Sequence, residues 1–375
     1  MSTTSSHVGR ALRPSGRLLP EDTRRHHRAL LLQLLFRYGP ASRADLARSS
    51  GLTRVTVSDV VGGLVAEGLL RESAAPVQGK VGKPPVLVQL AEEARQIVAV
   101  DLSADGIVSG ALLNLSGKVQ ERLSRPLDGR RGPDAVALLH ELVGELVAAA
   151  SRPVLGIGVG TPGVVDAAGV VIDAPNLGWH GVELADGLRS AFDVPVFVAN
   201  DANTAVLGEH TFGAAGDGGL MLVRVGTGVG SGLVLEGALL HGHRSAAGEV
   251  GHVVIDPDGL ECACGRRGCL ETVLAAPRLR ERLAADGPDA LAEVGVQVGV
   301  ALAPVVGTLN LHELVLSGPL DLLDGPLLDA VDRTIRERTM PVSGEELVVR
   351  TSALGDDVVL VGAAVLVLAG QLGVS

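Results

Sequence analysis

Two stretches of this chain share one layout: an apolar strand, a short turn and a second apolar strand. They read IVAVDLSADGIVSGALLNLSG from Ile97 and LMLVRVGTGVGSGLVLEGALLHG from Leu220. Alternating apolar residues around a Gly- or Asp-bearing turn are what hairpin strands require. Apolar strands and helical segments alternate elsewhere, as in the helix at 134–150, then VLGIGVGTPGVVD and VPVFVANDANTAVLGEH. The class is therefore α/β. Two such hairpins, each opening one half, describe duplicated lobes that face a cleft of nucleotide size.

Composition removes the competing classes. A chain of 375 residues exceeds what one core usually holds, so two or three domains are expected. Its 50 glycines follow no three-residue period, which excludes a collagen-like chain and places them in turns and ligand loops. The apolar run at 358–369, interrupted by Gly362, falls short of the roughly 20 residues of a membrane-spanning helix. The N-terminus is polar and Arg-rich without a secretory apolar core, so a cytoplasmic protein without membrane contact is expected.

The net charge of −11 conceals an asymmetry. Residues 1–95 hold 14 Lys and Arg against 8 Asp and Glu, while residues 96–375 hold 18 against 35. A basic segment on an acidic body suits a nucleic-acid reader joined to a ligand-binding domain, although charge alone fits a solvated tail equally well. Pattern separates the two. From Arg24, Leu30, Leu31, Leu34, Leu35 and Tyr38 fall at helical spacing before a Gly39-Pro40 stop. Ser42 then caps a short helix in which Ala44, Leu46 and Ala47 can face inward, Gly51 turns the chain, and Thr53 caps a second helix. Val55, Val57, Val60, Val61 and Leu64 read as its inner face.

This is a helix-turn-helix, whose second helix enters the major groove by its N-terminal end. Thr53, Arg54, Thr56 and Ser58 are the candidate DNA-contacting side chains there, with Arg43 at the start of the preceding helix. After Gly68, two strands around a polar loop read as a wing, with Lys80 and Lys83 near its tip or base. A three-helix protein-interaction module is the bland alternative. The expected organisation is a disordered basic tail at 1–23, a winged helix-turn-helix DNA-binding domain at 24–90 and a two-lobed ligand-binding domain at 91–375.

All three cysteines, Cys262, Cys264 and Cys269, lie within eight positions, which points to a metal rather than to disulfides. Seven motifs in order then carry a resemblance: GIGVGTPGVVD (156–166), APNLGW (174–179), NDAN (200–203), GTGVGSG (226–232), EVGH (249–252), CACGRRGCLE (262–271) and LVLSGPL (314–320). The chain resembles members of the ROK family of repressors, open reading frames and sugar kinases over nearly its whole length. The N-terminal winged helix, with the GKVGKPP segment, resembles the regulator branch. That resemblance implies a winged helix-turn-helix followed by a two-lobed actin-like, sugar-kinase (ribonuclease H-like) ATPase fold.

The same resemblance assigns roles. Asn176, Asn200, Asp201, Glu249, His252 and Glu271 match the family's sugar ligands, and Asp201 its general base. Amide and carboxylate groups together can satisfy the donors and acceptors of buried sugar hydroxyls. On the dipeptide alone, an Asx turn or helix cap at Asn200-Asp201 is the favoured reading. Gly226, Thr227, Gly228 and Gly230 form a phosphate-type turn. His252 with Cys262, Cys264 and Cys269 makes a Cys3His set suited to structural Zn²⁺, with Gly265 and Gly268 letting the loop wrap the ion. Three reduced, buried cysteines are the alternative, and His241 and His243 are expected at the surface.

The first turn departs from the family. Where ROK kinases share a D-x-G-G-T-K loop, this chain has Asp101-Leu102-Ser103-Ala104-Asp105-Gly106, so a carboxylate replaces a donor facing phosphate. Pro319 likewise follows Gly318 in LVLSGPL. The expected function is a sugar-responsive transcriptional repressor acting on a palindromic double-stranded operator as a homodimer or homotetramer. Sugar would close the lobes and shift the linker at 76–85. The alternative is an ATP- and Mg²⁺-dependent kinase that phosphorylates a hexose. A zinc-stabilised scaffold without ligand is the remaining reading.

Overall fold

The computed structural model describes residues 20–74, 86–103, 106–213, 215–216 and 218–374, and the chain divides into two compact units, Met1–Gln89 and Leu90–Ser375. Residues 1–19, the linker at 76–85 with Lys80 and Lys83, and the first-turn pair Ala104 and Asp105 lie outside the described residues.

The N-terminal unit holds helices Pro20–Tyr38, Arg43–Ser50 and Arg54–Ala66. Its sheet pairs Val86–Leu90 with both Ala41–Ser42 and Leu70–Ala74. Ser42 caps the second helix through a reciprocal box: its hydroxyl accepts from the Asp45 N–H while its own N–H donates to the Asp45 carboxylate. Gly51 ends that helix in the left-handed region at φ +71, which a side chain would strain. Thr53 caps the third helix by accepting from the Thr56 N–H. Leu31, Leu32, Leu35, Leu46, Val57, Val60, Val61, Leu64 and Val88 fill the core.

Several details correct the sequence reading. The first helix starts at Pro20, so residues 20–23 are helical rather than tail. Tyr38, 73% exposed, ends its helix beyond the core, and Leu32 is buried with Leu31 and Leu35, whereas Leu30 and Leu34 are half-buried. Val55 is 80% exposed because it stands in the first turn of its helix, before the face that Val57, Val60, Val61 and Leu64 bury. Ala44 is also exposed, leaving Leu46 as the buried anchor of the second helix.

The larger unit contains two five-stranded sheets built to one plan. In the first, Gln96–Asp101 pairs antiparallel with Ile107–Asn114, which pairs antiparallel with Val119–Pro126; Val154–Thr161 and then Val196–Asn200 add in parallel on the other side. In the second, Leu220–Val225, Val229–Leu235 and Ala238–Leu239 form the antiparallel half, and Glu313–Ser317 and Val348–Thr351 the parallel half. Each lobe thus opens with the hairpin that the sequence pattern indicated.

Helices Asp201–Phe212 and Val358–Leu372 pack against each other at backbone distance. A Cβ at Gly208 would lie 2.6 Å from the Val358 carbonyl oxygen, and one at Gly362 would lie 1.8 Å from that of Thr204. These glycines serve helix packing, so the expectation that glycines sit in turns and ligand loops holds only in part. Two helices, Asp289–Leu309 and the segment Gly355–Leu372, are long and apolar enough to cross a membrane by composition, contrary to the expectation from sequence. Both are core helices here: Leu291, Val294, Val298, Leu302 and Val306 of the first and Val358, Leu360, Val365 and Leu368 of the second are buried.

A buried charge cluster, unseen in the sequence, fastens the second sheet. Arg350 donates to Glu209 at 2.5 Å and to Glu313 at 2.8 Å, while the Ser352 hydroxyl and the Ala353 N–H also donate to Glu209. The Gly216 N–H completes the set by donating to Glu313 at 2.5 Å. Every carboxylate there has partners, which is what makes buried ionised groups tolerable.

Candidate functional site

The Cys3His cluster forms from a loop that folds back on itself. Ile255 N–H donates to the Gly268 carbonyl, Leu270 N–H to that of Val253, and Cys262 N–H to that of Arg266. Gly268, at φ +66, is required: a Cβ there would lie 1.4 Å from the Asp256 carbonyl oxygen. One ligand atom each from His252, Cys262, Cys264 and Cys269 lies within 4.8 Å of all the others. His252 Nδ1 is 3.5 Å from Cys262 Sγ, and Cys264 Sγ is 3.6 Å from Cys269 Sγ. Zn–S bonds of about 2.3 Å in a tetrahedron set ligand atoms roughly 3.8 Å apart, so the donors and their spacing fit such an ion. Burial pushes the Cys262 thiol up to about 12 and Cys269 also upward, whereas the Arg266 N–H holds the exposed Cys264 below the usual thiol range. A divalent cation would reverse that burial cost by stabilising the thiolates.

Glu271 joins this cluster to the second Gly-rich turn. Its Oε2 accepts from the Val229 N–H at 3.0 Å, and its Oε1 lies 3.5 Å from Cys262 Sγ. Gly226, Thr227 and Gly228 form the turn between two strands, and Gly230 stands in the second of them. Gly228 passes so close to Glu271 that a Cβ would lie 2.8 Å from Oε2.

Asn200 caps helix Asp201–Phe212, as the local reading of the dipeptide allowed. Its Oδ1 accepts from the N–H groups of Ala202 and Asn203, and its Nδ2 donates to the Gly163 carbonyl at 2.9 Å and to Asp201 Oδ1 at 3.0 Å. Two donors and two acceptor sites are thus all engaged within the protein. Asp201 follows at the helix start, its side chain 18% exposed. Burial raises its pKa above the ordinary carboxylate range; Arg224 pulls it down and Asp101 adds to the rise. Glu249 is raised as well, by partial desolvation first and then by Asp201 and Glu271, with His252 opposing. Asp201, Glu249, His252 and Glu271 therefore share one electrostatic neighbourhood. Asn176 stands exposed on the short turn Pro175–Leu177, beside Trp179, whose buried indole donates to the Gly132 carbonyl at 2.9 Å.

Arg224 escaped the sequence reading. It donates through Nε to Asp201 at 3.3 Å and through Nη2 to the Ser103 hydroxyl at 2.5 Å. The available signal was a lone charge inside the apolar strand LMLVRV. In the first turn, the Ser103 N–H and hydroxyl both donate to Asp101 Oδ1.

In the N-terminal unit, Thr53, Arg54 and Ser58 are exposed at the start of the third helix and Thr56 is partly so. The Thr53 and Thr56 hydroxyls bond each other at 2.9 Å. Arg43 is ion-paired with Glu72 of strand Leu70–Ala74.

Comparison with known proteins adds three findings. The family model described as "ROK family" matches residues 97–293. The xylose repressor of Bacillus spizizenii is 26% identical over 90% of this chain and 94% of its own, and the glucokinase of Halalkalibacterium halodurans is 30% identical over 72% of this chain and 93% of its own. The crystal structure of a ROK family transcriptional regulator, a homolog of the E. coli MLC protein, superposes with a TM-score of 0.82 at 27% identity, covering 94% of this chain and 97% of that one.

Proposed function

Because the chain belongs to the ROK family, we propose that it is a sugar-responsive transcriptional repressor that carries its DNA reader and its effector cleft in one polypeptide. The observation that carries this reading is the extent of the likeness to regulators: it spans nearly the whole chain, too much to omit the N-terminal unit, whereas the glucokinase likeness stops at 72%.

The N-terminal unit then reads an operator with the start of helix Arg54–Ala66, where Thr53, Arg54 and Ser58 are exposed. Thr56 and Arg43 stand beside that surface, and Lys80 and Lys83, outside the described residues, are assigned to DNA contact from the sequence alone. Two copies on a two-fold operator, in a homodimer or homotetramer in the cytoplasm, are the arrangement such a reader needs. Asn176, Asp201, Glu249, His252 and Glu271 hold the sugar, with Asn200 fixing the start of the helix that carries Asp201. Zn²⁺ held by His252, Cys262, Cys264 and Cys269 would fix the loop that presents His252 and Glu271. Sugar shifts the balance between two forms of the protein only by its difference in affinity for them.

The intact Gly226–Gly228 turn and the retained Asp201 favour a second reading, an ATP-dependent sugar kinase. Against it stand the Asp101–Gly106 loop, which lacks the kinase glycines, threonine and lysine, and the engagement of Asp201 by Arg224. Titration of operator DNA with a sugar panel at several salt concentrations tests the first reading; a sugar-independent affinity throughout contradicts it. A coupled ATPase assay tests the second, and sugar-dependent turnover abolished by Asp201→Asn would overturn the first.

A further inference from the structure

We propose that Arg224 is a built-in substitute for a nucleotide: a cation supplied by the second lobe that clasps the first-lobe turn to Asp201, so that the cleft closes on an uncharged sugar alone. The choice of ligand rests on the sugar-sensor reading; the clasp does not.

Arg224 lies two residues before Gly226, in strand Leu220–Val225, and its side chain is 16% exposed. The guanidinium donates to Asp201 Oδ2 and to the Ser103 hydroxyl, and that hydroxyl donates onward to Asp101 Oδ1. Four side chains from the end of strand Gln96–Asp101, the start of helix Asp201–Phe212 and strand Leu220–Val225 thus form one continuous chain of bonds. Both lobes contribute to it. In a phosphoryl-transfer site, metal ions and a lysine balance the negative charge between the phosphate loops and the base. Here one guanidinium touches the remnant of the first loop and the base position, and it extends from the strand that leads into the second loop.

Two consequences follow for the ligand. Asp201 Oδ2 already accepts from the Arg224 guanidinium and Oδ1 from the Asn200 amide, so the carboxylate can orient a sugar but is poorly placed to activate one. Asp201 and Asp101 are the carboxylates set around this guanidinium, the first bonded to it directly and the second through the Ser103 hydroxyl. A nucleotide or a sugar phosphate would meet both carboxylates and would have to displace the guanidinium from two partners. A neutral polyhydroxyl ligand meets neither obstacle, and a guanidinium already in place holds the lobes without ATP.

The test uses the full chain and Arg224→Met, which keeps the length of the side chain and removes its charge, with Arg224→Lys as the charge-restoring control. Calorimetric titration with unphosphorylated aldoses and with their 6-phosphates, each with and without Mg²⁺ and a non-hydrolysable ATP analogue, is expected to show three things. Wild type binds a neutral sugar with no effect of the nucleotide and binds no phosphate ester more tightly. Arg224→Met weakens that binding about tenfold or more, and Arg224→Lys recovers most of the loss. Tighter sugar binding in the presence of the nucleotide, a preference for the phosphate ester, or Arg224→Met binding as wild type would overturn the proposal. A sugar-free double-mutant cycle of Arg224→Met with Ser103→Ala, read by urea unfolding, separates the clasp from the sensor reading. Non-additive effects support the clasp even if no sugar binds; strict additivity rejects it.

Discussion

The two lobes of the larger unit share a sheet plan yet use their opening turns in different ways. The second turn, at Gly226–Gly228, is backed from outside its hairpin: Glu271 accepts the Val229 N–H and reaches Cys262, so the Cys3His loop braces it. The first turn is held partly from within, where Ser103 bonds Asp101, and partly by Arg224 of the other lobe. The shared topology supplies two equivalent turns, one in each sheet. Side chains brought from distant parts of the chain decide what each turn can bind.

That difference can be broken at several points. The largest effect is expected from removing the metal-ligand set. Cys269→Ser, or a strong chelator on protein prepared with Zn²⁺, should destabilise the second lobe by more than about 4 kcal/mol. Hydrogen exchange should show the loss around residues 226–229 and 252–271 before it reaches the first sheet; uniform exchange would contradict the brace. Arg350→Met follows, because it leaves Glu209 and Glu313 buried without their cation, at a cost of about 3–5 kcal/mol in urea unfolding. Gly228→Ala drives a Cβ against Glu271 and should cost about 1–3 kcal/mol while weakening sugar binding.

Ser103→Ala should cost only about 0.5–1.5 kcal/mol, the scale of one hydrogen-bonding group. If it matched Gly228→Ala, the two turns would not differ as described. A pH series sharpens the contrast further. Asp201 has a raised folded-state pKa, so its contribution to stability is present below the ordinary aspartate range and lost as pH rises through the raised value. Asp201→Asn removes that loss, so the stability of the variant relative to wild type should climb with pH across this window. A parallel pair of curves would show that Asp201 is not perturbed.

The sequence made legible whatever rests on neighbours along the chain. Caps at Ser42 and Thr53, the two hairpins and the clustered cysteines are local patterns, and they stand where the spacing put them. It did not reveal contacts made across the fold. Arg224 reads as an isolated charge until Asp201 and Ser103 are brought to it, and Arg350 meets Glu209 from 141 residues away. Gly208 and Gly362 could not be told from loop glycines because their cause is the approach of a second helix. Val55 and Tyr38 have the apolar character of core residues, but they stand where their helices leave the core. At the candidate site the residue types and the capping role of Asn200 were readable, whereas the commitment of Asp201 to Arg224 was not.

The most direct measurement is fluorescence anisotropy of the full chain on the promoter fragment preceding its own reading frame, at fixed salt, titrated with unphosphorylated sugars. At least one neutral sugar is expected to change the operator dissociation constant by about tenfold or more, as a differential affinity of ~1.4 kcal/mol requires. Specific binding that no sugar in the panel alters, or sugar binding by a protein that does not discriminate this fragment from random DNA, would contradict a sugar-responsive repressor.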